Sequence, residues 1–426
     1  MNTTQNELVI ETFQNSALSL RIAIVTETYP PEVNGVAMTL GRLVDGLISQ
    51  GHQVQVIRPR QGDESATLPR AGLEEVLAKG VPLPAYGELR FGLPAKQRLC
   101  KLWSVNRPDV VHVVTEGPLG WSAVTAARKM GLPVTSSFHT NFQSYSQNYG
   151  VGLFKSPIDA YLRKLHNRTY TTLAPTREVA LELTRRGYHN VGVMARGVDT
   201  QLFTPARRSE ALRASWGVAA IDPVVILVGR LAREKNVNLV VAAFRNIQRR
   251  CPTARLVFVG DGPLRRSLEE MCPDAIFAGI RRGVELAEHY ASGDLFLFSS
   301  LTETYGNVVP EALASGLAVL AYNTAAAKEL IVNGENGVLV ACGDEVGFVN
   351  ASADLATSQF QGQFMRKRAR ESVQNLSWAS IVERFAKTLR EAVLHTAASN
   401  AKSATVTTRV SARKTQERLP HTNTTA

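Results

Sequence analysis

Short runs of apolar residues recur along this chain, and each is followed by a stretch long enough to form a helix. In the first half they lie at residues 21–26, 53–59, 110–114, 133–138 and 171–176. In the second half they lie at residues 223–229, 255–260, 274–279, 295–300 and 317–322. Apolar strands of this length, alternating with helical segments, are typical of parallel sheets with helices on both faces. The pattern therefore predicts an α/β protein with two doubly wound, Rossmann-like domains.

The pattern also predicts where the two domains begin and end. We expect a first domain over residues 21–200 and a second over 201–377, joined within the segment 195–209. Residues 377–395 have a serine N-cap candidate and apolar positions at helical spacing, so we expect a helix that crosses back onto the first domain. Residues 1–20 lack a pattern and residues 396–426 are polar, Thr-rich and basic, which predicts disorder at both ends.

Composition and charge narrow the class of protein. The 426 residues are 44% hydrophobic, without an apolar run of about 18 residues and without a basic leader, so neither a membrane span nor a signal peptide is predicted. The four cysteines are scattered, which argues against a disulfide framework or a zinc site and favours the cytoplasm. The net charge of +11 suits an anionic partner such as a membrane surface, a phosphorylated substrate or nucleic acid, but solvated basic faces would also explain it. Nucleic acid is not expected, since no recognised binding motif is present.

The first candidate for chemistry follows the first strand. In open α/β sheets, ligands bind beyond the carboxyl ends of the strands, so two facing domains would enclose a cleft there. Pro30 and Pro31 end regular structure after the strand, and Asn34-Gly35 then begins a helix. Free backbone N–H groups at such a helix start suit an anion, although an ordinary turn would have the same sequence.

Two cations follow the first strand of the second half. Arg230 stands directly after the strand 223–229, and Lys235 lies in the loop that follows. A planar guanidinium and a flexible ammonium that converge at a cleft suit a diphosphate. Surface charges beside a helix start are the structural alternative.

Two glutamates, Glu303 and Glu311, lie eight residues apart in an otherwise apolar tract, after the strand 295–300. Pro310 is tolerated only in the first turn of a helix, so the helix should begin near residue 306 or 307. Glu303 is then expected in the loop at the cleft, and Glu311 about one turn inside the helix.

The backbone amides of Gly306, Asn307 and Val308 should lie between the two carboxylates. An anion on the amides, with hydroxyl groups bound by a carboxylate on either side, corresponds to the sugar, diphosphate and ribose of a nucleotide sugar. The alternative is a pair of glutamates that only cap the helix and interact with its dipole. His139, directly after the strand 133–138, is a further candidate ligand for a hydroxyl or phosphate, or else a structural histidine.

Taken together, the segments around these residues resemble a known family. The segments "ETYPPEVNGVAMTLGRL", "SFHTNF", "RGVDTQLF", "VGRLAREKN" and "YASGDLFLFSSLTETYGNVVPEALASGLAVLA" occur in this order. They resemble family-four glycosyltransferases of the GT-B fold over about residues 21–395, with Glu303 and Glu311 as the signature pair of acidic residues. The resemblance is greatest to the bacterial lipid-modifying branch, which includes diacylglycerol glycosyl-, mannosyl- and sulfoquinovosyltransferases and phosphatidylinositol mannosyltransferases.

The resemblance implies a retaining transfer of a hexose from GDP-mannose or a UDP-hexose to an acceptor hydroxyl, without a metal cofactor. It implies that Arg230 and Lys235 neutralise the diphosphate and that the Gly35 amide approaches the phosphates. Fixed charges of this kind would provide most of the catalysis. Glu303 would bind the transferred sugar, Glu311 the ribose, and His139 the sugar or acceptor side.

One position departs from the family. Arg196 stands where an asparagine often precedes "GVD", so no role is assigned to it.

The acceptor implied by the resemblance is a membrane lipid such as diacylglycerol, and a soluble or polysaccharide acceptor is the alternative. A lipid acceptor predicts contact with an anionic cytoplasmic leaflet through residues 95–103 and 153–168, which mix basic and apolar side chains. A nicotinamide-dependent oxidoreductase is a remote alternative of another class. Its fingerprint requires three glycines after a strand, and the segment from Gly260 to Gly262 lacks the third.

Overall fold

The structure, a computed structural model, describes residues 19–416 except 33, 62–69, 84–85, 140–154 and 304. Its strands are β1 (Arg21–Val25), β2 (Gln53–Pro59), β3 (Leu73–Ala78), β4 (Gly80–Leu83), β5 (Tyr86–Gly92), β6 (Val110–Val113), β7 (Val134–Ser137), β8 (Thr172–Ala174), β9 (Val191–Val193), β10 (Val224–Val228), β11 (Arg255–Val259), β12 (Ile276–Gly279), β13 (Leu295–Phe298), β14 (Ala318–Tyr322) and β15 (Val338–Val340).

The helices connect these strands in nearly regular alternation. They are α1 (Gly35–Ser49), α2 (Lys96–Val105), α3 (Pro118–Lys129), α4 (Lys155–His166), α5 (Arg177–Arg185), α6 (Glu210–Ser215), α7 (Val237–Arg250), α8 (Arg265–Met271), α9 (Gly283–Ser292), α10 (Val308–Ala314), α11 (Ala325–Leu330), α12 (Glu345–Thr357), α13 (Gln359–Ser372) and α14 (Trp378–Gln416).

Two parallel sheets form the centres of two domains. The first has seven strands in the order β3-β2-β1-β6-β7-β8-β9, and the second has six in the order β12-β11-β10-β13-β14-β15. In each sheet the first strand, β1 or β10, pairs with a strand on either side, so the strand order reverses next to it. Such a reversal opens a crevice at the carboxyl ends of the strands, where ligands bind in open α/β sheets.

Apolar side chains cover both faces of each sheet. In the first domain, one core cluster joins β1 and β6 to α1 and α14, and another joins the opposite face to α2 and α3. The second sheet is likewise covered on both faces, and its strand β10 is buried along its whole length. Strands that are buried on both faces need a continuous apolar sequence, which explains why the predicted runs coincide with the central strands. The predicted fold class of two Rossmann-like domains is confirmed.

The helix α14 begins at the second domain and packs on the first. Its buried residues Val382 and Phe385 join the core cluster that contains β1 and α1. A Cβ atom built on Gly46 of α1 would lie 2.4 Å from Val382 Cγ2, so glycine allows the two helices to approach closely. The chain passes between the domains twice, once near Val198 and once just before α14. These two segments run side by side, and Val198 N donates a hydrogen bond to Leu376 O at 2.9 Å.

The structure differs from the sequence prediction at the sheet edges and at the tail. Strands β3, β9 and β15 lie at sheet edges and were not predicted, because edge strands are short or carry polar residues that interrupt an apolar run. Strands β4 and β5, which pair with each other in a separate antiparallel sheet, were not predicted either. Helix α14 continues to Gln416, through the first part of the segment for which the composition predicts disorder. The polar composition of this segment excludes a packed core, but it contains no Pro or Gly that would end an exposed helix. The rest of the predicted tail and residues 1–18 lie outside the described residues.

Candidate active site

The loop after β1 leads into a capped helix at the edge of the first sheet. The Asn34 side chain accepts hydrogen bonds from Val36 N at 3.1 Å and Ala37 N at 2.9 Å, which fixes the first turn of α1. Gly35 is the first residue of this helix. A Cβ atom built on it would lie 3.0 Å from Arg196 Nη1, so the absence of a side chain lets that guanidinium approach the helix start.

Two loops of the second domain are tied together by hydroxyl groups. Ser299 Oγ, just after β13, donates to Lys235 O at 3.0 Å and Asn236 O at 2.9 Å. Ser300 Oγ donates to Glu234 O at 3.2 Å. The loop after β10 is thereby held against the loop after β13, at the reversal point of the second sheet.

The Lys235 ammonium and the Glu303 carboxylate form an ion pair between these two loops. Lys235 Nζ donates to Glu303 Oε1, and the two side chains are 25% and 12% exposed. A charge pair so far removed from water is less screened than a surface pair. Both groups face a ligand site with their charges already fixed in place.

Helix α10 begins where Pro310 predicts. Gly306 has φ of +84°, in the left-handed region that favours glycine, and the helix follows from Val308. Glu311 lies in the first turn, as expected, and its Oε2 accepts a hydrogen bond from Tyr290 OH at 3.0 Å. Burial raises the pKa of Glu311 to about 7, and the Tyr290 hydrogen bond opposes this shift.

His139 lies at the carboxyl end of β7 and is a neutral imidazole at physiological pH. Burial, together with the Arg196 cation, lowers its pKa to about 3. Its Nδ1 is buried and has no hydrogen-bond partner in the described part of the chain. It can therefore exchange hydrogen bonds with a ligand but does not carry a positive charge.

These elements enclose a cleft of about 570 Å³ between the two domains. Most of the residues predicted from the sequence line it, namely Gly35, His139, Lys235, Glu303, Gly306, Asn307 and Val308. Two predicted residues do not. Glu311 lies behind the cleft against Tyr290, and the Arg230 side chain is 69% exposed, 4.0 Å from the Glu234 carboxylate.

The cleft is also lined by residues that the sequence prediction did not select, among them Arg196 and Glu27. Arg196 is 8% exposed, and its Nη1 donates to Asn307 Oδ1 at 3.3 Å. The only sequence signal for Arg196 was its departure from the usual asparagine. Glu27 has one buried carboxylate oxygen without a partner among the described residues, and burial raises its pKa to about 7. The sequence signal for Glu27 was a carboxylate two residues beyond β1, at the reversal point of the first sheet.

In the described part of the chain, no group of three or more His, Cys, Asp or Glu residues is arranged to hold a metal ion. None of the described helices is long and apolar enough to cross a membrane.

The segments proposed for membrane contact are in part packed inward. In α2, Leu99 and Trp103 are buried in the core, and Trp103 Nε1 donates to Gln55 Oε1 at 3.2 Å. Their insertion into a membrane is therefore excluded, because the amphipathic helix uses its apolar face for the domain core. In the second segment, residues 153–154 lie outside the described residues, Arg163 pairs with Asp159, and Arg168 lies over Trp121.

Two family models match the chain. Residues 33–202 match the model described as Glycosyltransferase Family 4, and residues 222–358 match the model described as Glycosyl transferases group 1. The matches follow the two domains, one in each.

Relatives along nearly the whole chain agree with these models. The GDP-mannose-dependent alpha-mannosyltransferase of Mycobacterium tuberculosis is 35% identical over 85% of this chain and 94% of its own length. The sulfoquinovosyl transferase SQD2 of Arabidopsis thaliana is 28% identical over 84% of this chain and 71% of its own. The crystal structure of Anabaena HepE in complex with UDP superimposes with a TM-score of 0.71 over 87% of this chain and all of its own, at 18% identity.

The resemblance inferred from the sequence is thus confirmed, and the oxidoreductase alternative is not supported. The chain belongs to glycosyltransferase family 4 and is a glycosyltransferase with the GT-B fold.

Proposed function

We propose that this protein is a retaining transferase that moves mannose from GDP-mannose to a hydroxyl group of a membrane lipid. The observation that carries the proposal is the interdomain cleft, in which the Lys235–Glu303 pair faces Gly35 and His139. Relatives from Mycobacterium tuberculosis, Corynebacterium glutamicum and Mycolicibacterium smegmatis, at 34–35% identity, are GDP-mannose-dependent alpha-mannosyltransferases, which favours this donor over a UDP-hexose.

In the proposed reaction, the bond between the anomeric carbon and the diphosphate breaks. A new bond forms from that carbon to the acceptor oxygen on the same face of the sugar, and the acceptor proton passes to the departing diphosphate. Negative charge therefore accumulates on the diphosphate in the transition state. Lys235, preorganised by its contact with Glu303, would stabilise this charge.

The remaining residues would hold the donor in place. The Gly35 amide and those of Gly306 to Val308 would contact the phosphates. The Glu303 carboxylate would accept hydrogen bonds from the transferred sugar, and the neutral His139 would bond a hydroxyl of the sugar or acceptor.

Glu311 and Arg230 do not line the cleft, so their side chains would have to move in order to bind the nucleotide-sugar donor. Glu311 would bind the ribose hydroxyls in place of its hydrogen bond from Tyr290. The Arg230 side chain is free to turn from solvent toward the diphosphate, since its contact with Glu234 is 4.0 Å long and exposed. The proposed reaction uses no metal cofactor.

The lipid acceptor is supported by relatives that act on lipids. The alpha-monoglucosyldiacylglycerol synthases of Streptococcus pneumoniae and Acholeplasma laidlawii are each 26% identical over 75% of this chain. On α2 of the first domain, Lys96, Arg98 and Lys101 are exposed, opposite the buried apolar face. This basic face would bind an anionic leaflet mainly by charge, at about 1 kcal/mol for each residue near the surface.

The test is a donor and acceptor screen with the full chain. GDP-mannose, UDP-glucose and UDP-galactose are each supplied with vesicles that contain diacylglycerol, with vesicles that lack it, or with soluble oligosaccharides. Release of GDP coupled to mannosyl-lipid formation is expected, and the Lys235→Ala variant should abolish most of it. Transfer only from UDP-hexoses would contradict the donor, and transfer only to the oligosaccharides would contradict the lipid acceptor.

A further inference from the structure

The buried guanidinium of Arg196 lies where the two domains meet, in the segment that connects them. The backbone of this segment is fixed to the second domain, since Tyr305 OH donates to Arg196 O at 3.3 Å and Val198 N donates to Leu376 O at 2.9 Å. The side chain extends from there into the cleft, with its guanidinium carbon 5.7 Å from the centre of the Tyr305 ring. The second domain thus sets the position of the Arg196 backbone, while the end of the Arg196 side chain reaches the first domain.

The end of the side chain lies at the start of α1. Nη1 lies 3.0 Å from where a Cβ atom on Gly35 would be, which is closer than an ordinary van der Waals contact, and it donates to Asn307 Oδ1 at 3.3 Å. A guanidinium and the N-terminus of a 15-residue helix are both positive, so their proximity is unfavourable unless an anion lies between or beside them.

No carboxylate among the described residues is in contact with the Arg196 guanidinium. In the described part of the chain, Arg196 forms no ion pair, and its Nε is buried without a hydrogen-bond partner. The carboxylate of Glu303, on the same cleft, favours the charged form of Arg196 from a distance, but its direct contact is with Lys235. A buried cation with an unsatisfied N–H is costly, which indicates a site built for a ligand that carries negative charge and oxygen acceptors.

From this geometry we infer that Arg196 binds the diphosphate of the donor directly, as a third cation beside Lys235 and Arg230. The inference rests on the proposed function, since a nucleotide-sugar donor supplies the diphosphate. The planar guanidinium has N–H groups in addition to the one given to Asn307, so it can bind a phosphate oxygen while it stays in contact with Asn307. Because Arg196 spans the connection between the domains, the donor would also draw the helix start at Gly35 and the loop at Asn307 together.

A purely structural role is the competing explanation, in which Arg196 only ties the first domain to the second. Such a role would weaken every ligand of the cleft equally when Arg196 is replaced. A diphosphate contact would weaken only ligands that carry phosphate. Comparing GDP with guanosine therefore separates the two explanations without requiring turnover.

The experiment measures binding of GDP and guanosine, with UDP and uridine in parallel, by calorimetry or ligand-observed NMR. The loss of a hydrogen bond to a charged group predicts that Arg196→Gln lowers GDP affinity about tenfold or more, with guanosine affinity unchanged. Arg42→Gln is the matched control. Arg42 pairs with Asp199 at 3.4 Å and so also connects α1 to the interdomain segment, but it does not line the cleft.

Equal weakening of GDP and guanosine in Arg196→Gln, or GDP binding equal to wild type, would overturn the inference. Should the glutamine variant fail to fold, Arg196→Lys takes its place, since it keeps the charge and loses the planar fork, and a selective loss of GDP affinity is again expected. Wild-type protein that binds GDP but transfers no sugar would refute the proposed function alone. Wild-type protein that binds neither GDP nor UDP would refute both.

Discussion

Replacing Lys235 with alanine should lower both the free energy of unfolding and the turnover, for two different reasons. In the wild type, the ammonium of Lys235 contacts the Glu303 carboxylate, which is only 12% exposed. Without Lys235 that carboxylate loses its charged partner but stays largely buried, and we expect the free energy of unfolding to fall by about 1–3 kcal/mol. Turnover should fall about 10²- to 10³-fold, the range measured when one preorganised electrostatic contact is removed from other enzymes.

A second substitution distinguishes these two effects. In Lys235→Ala/Glu303→Gln, the unpaired negative charge is gone, so part of the lost stability should return, whereas turnover should not recover. Urea unfolding measures the first quantity and GDP release from GDP-mannose the second. The control is Arg250→Ala, which removes an ion pair to Asp354 that is exposed on both sides and should cost less than about 0.5 kcal/mol, without an effect on turnover.

Two results would refute this reasoning. Turnover within threefold of wild type in Lys235→Ala would show that no diphosphate charge depends on this residue. Strict additivity of the two substitutions in unfolding free energy would show that the Lys235–Glu303 contact carries no interaction energy in solution.

Three further variants and one chelation experiment test the site and the docking face. Arg230→Ala should lower turnover about 10²-fold. It should change the free energy of unfolding by less than about 0.5 kcal/mol, because the side chain is exposed. A larger loss of stability would contradict this prediction. Since burial raises the pKa of Glu311 to about 7, the folded state binds more protons than the unfolded state between about pH 4.5 and 7, and stability should fall as pH rises through this window. Glu311→Gln should make this fall in stability less steep, by at most about 1.4 kcal/mol per pH unit, as measured by urea unfolding from pH 5 to 8. The same pH dependence in the variant and the wild type would contradict the raised pKa of Glu311. EDTA should leave mannosyl transfer largely intact, and a requirement for added divalent ions would refute the metal-free proposal. Replacing Lys96, Arg98 and Lys101 with Glu should reduce co-sedimentation with anionic vesicles but not with neutral ones, and unchanged anionic binding would exclude α2 as the docking face.

The sequence alone determined the fold class and the chain positions of the ligand-binding loops. Central strands of a doubly wound sheet are buried on both faces, so β10 and β13 are apolar throughout and β1 is apolar after its exposed first residue, Arg21, and this pattern is visible without coordinates. Pro310 fixed the start of α10 by a local steric rule, and Asn34-Gly35 fixed the start of α1 by capping. These constraints act over a few residues, which is why a pattern in the sequence reveals them.

Only the tertiary structure decided which side chains face the cleft. Arg196 lies 111 residues from Asn307 in the chain, and no local pattern places the two in contact. Glu311 and Arg230 both follow strand ends as predicted, yet one is packed against Tyr290 and the other extends into solvent. The charge state of Glu27, Glu311 and His139 depends on desolvation by residues from distant segments, and burial is a property of the assembled domains rather than of sequence neighbours.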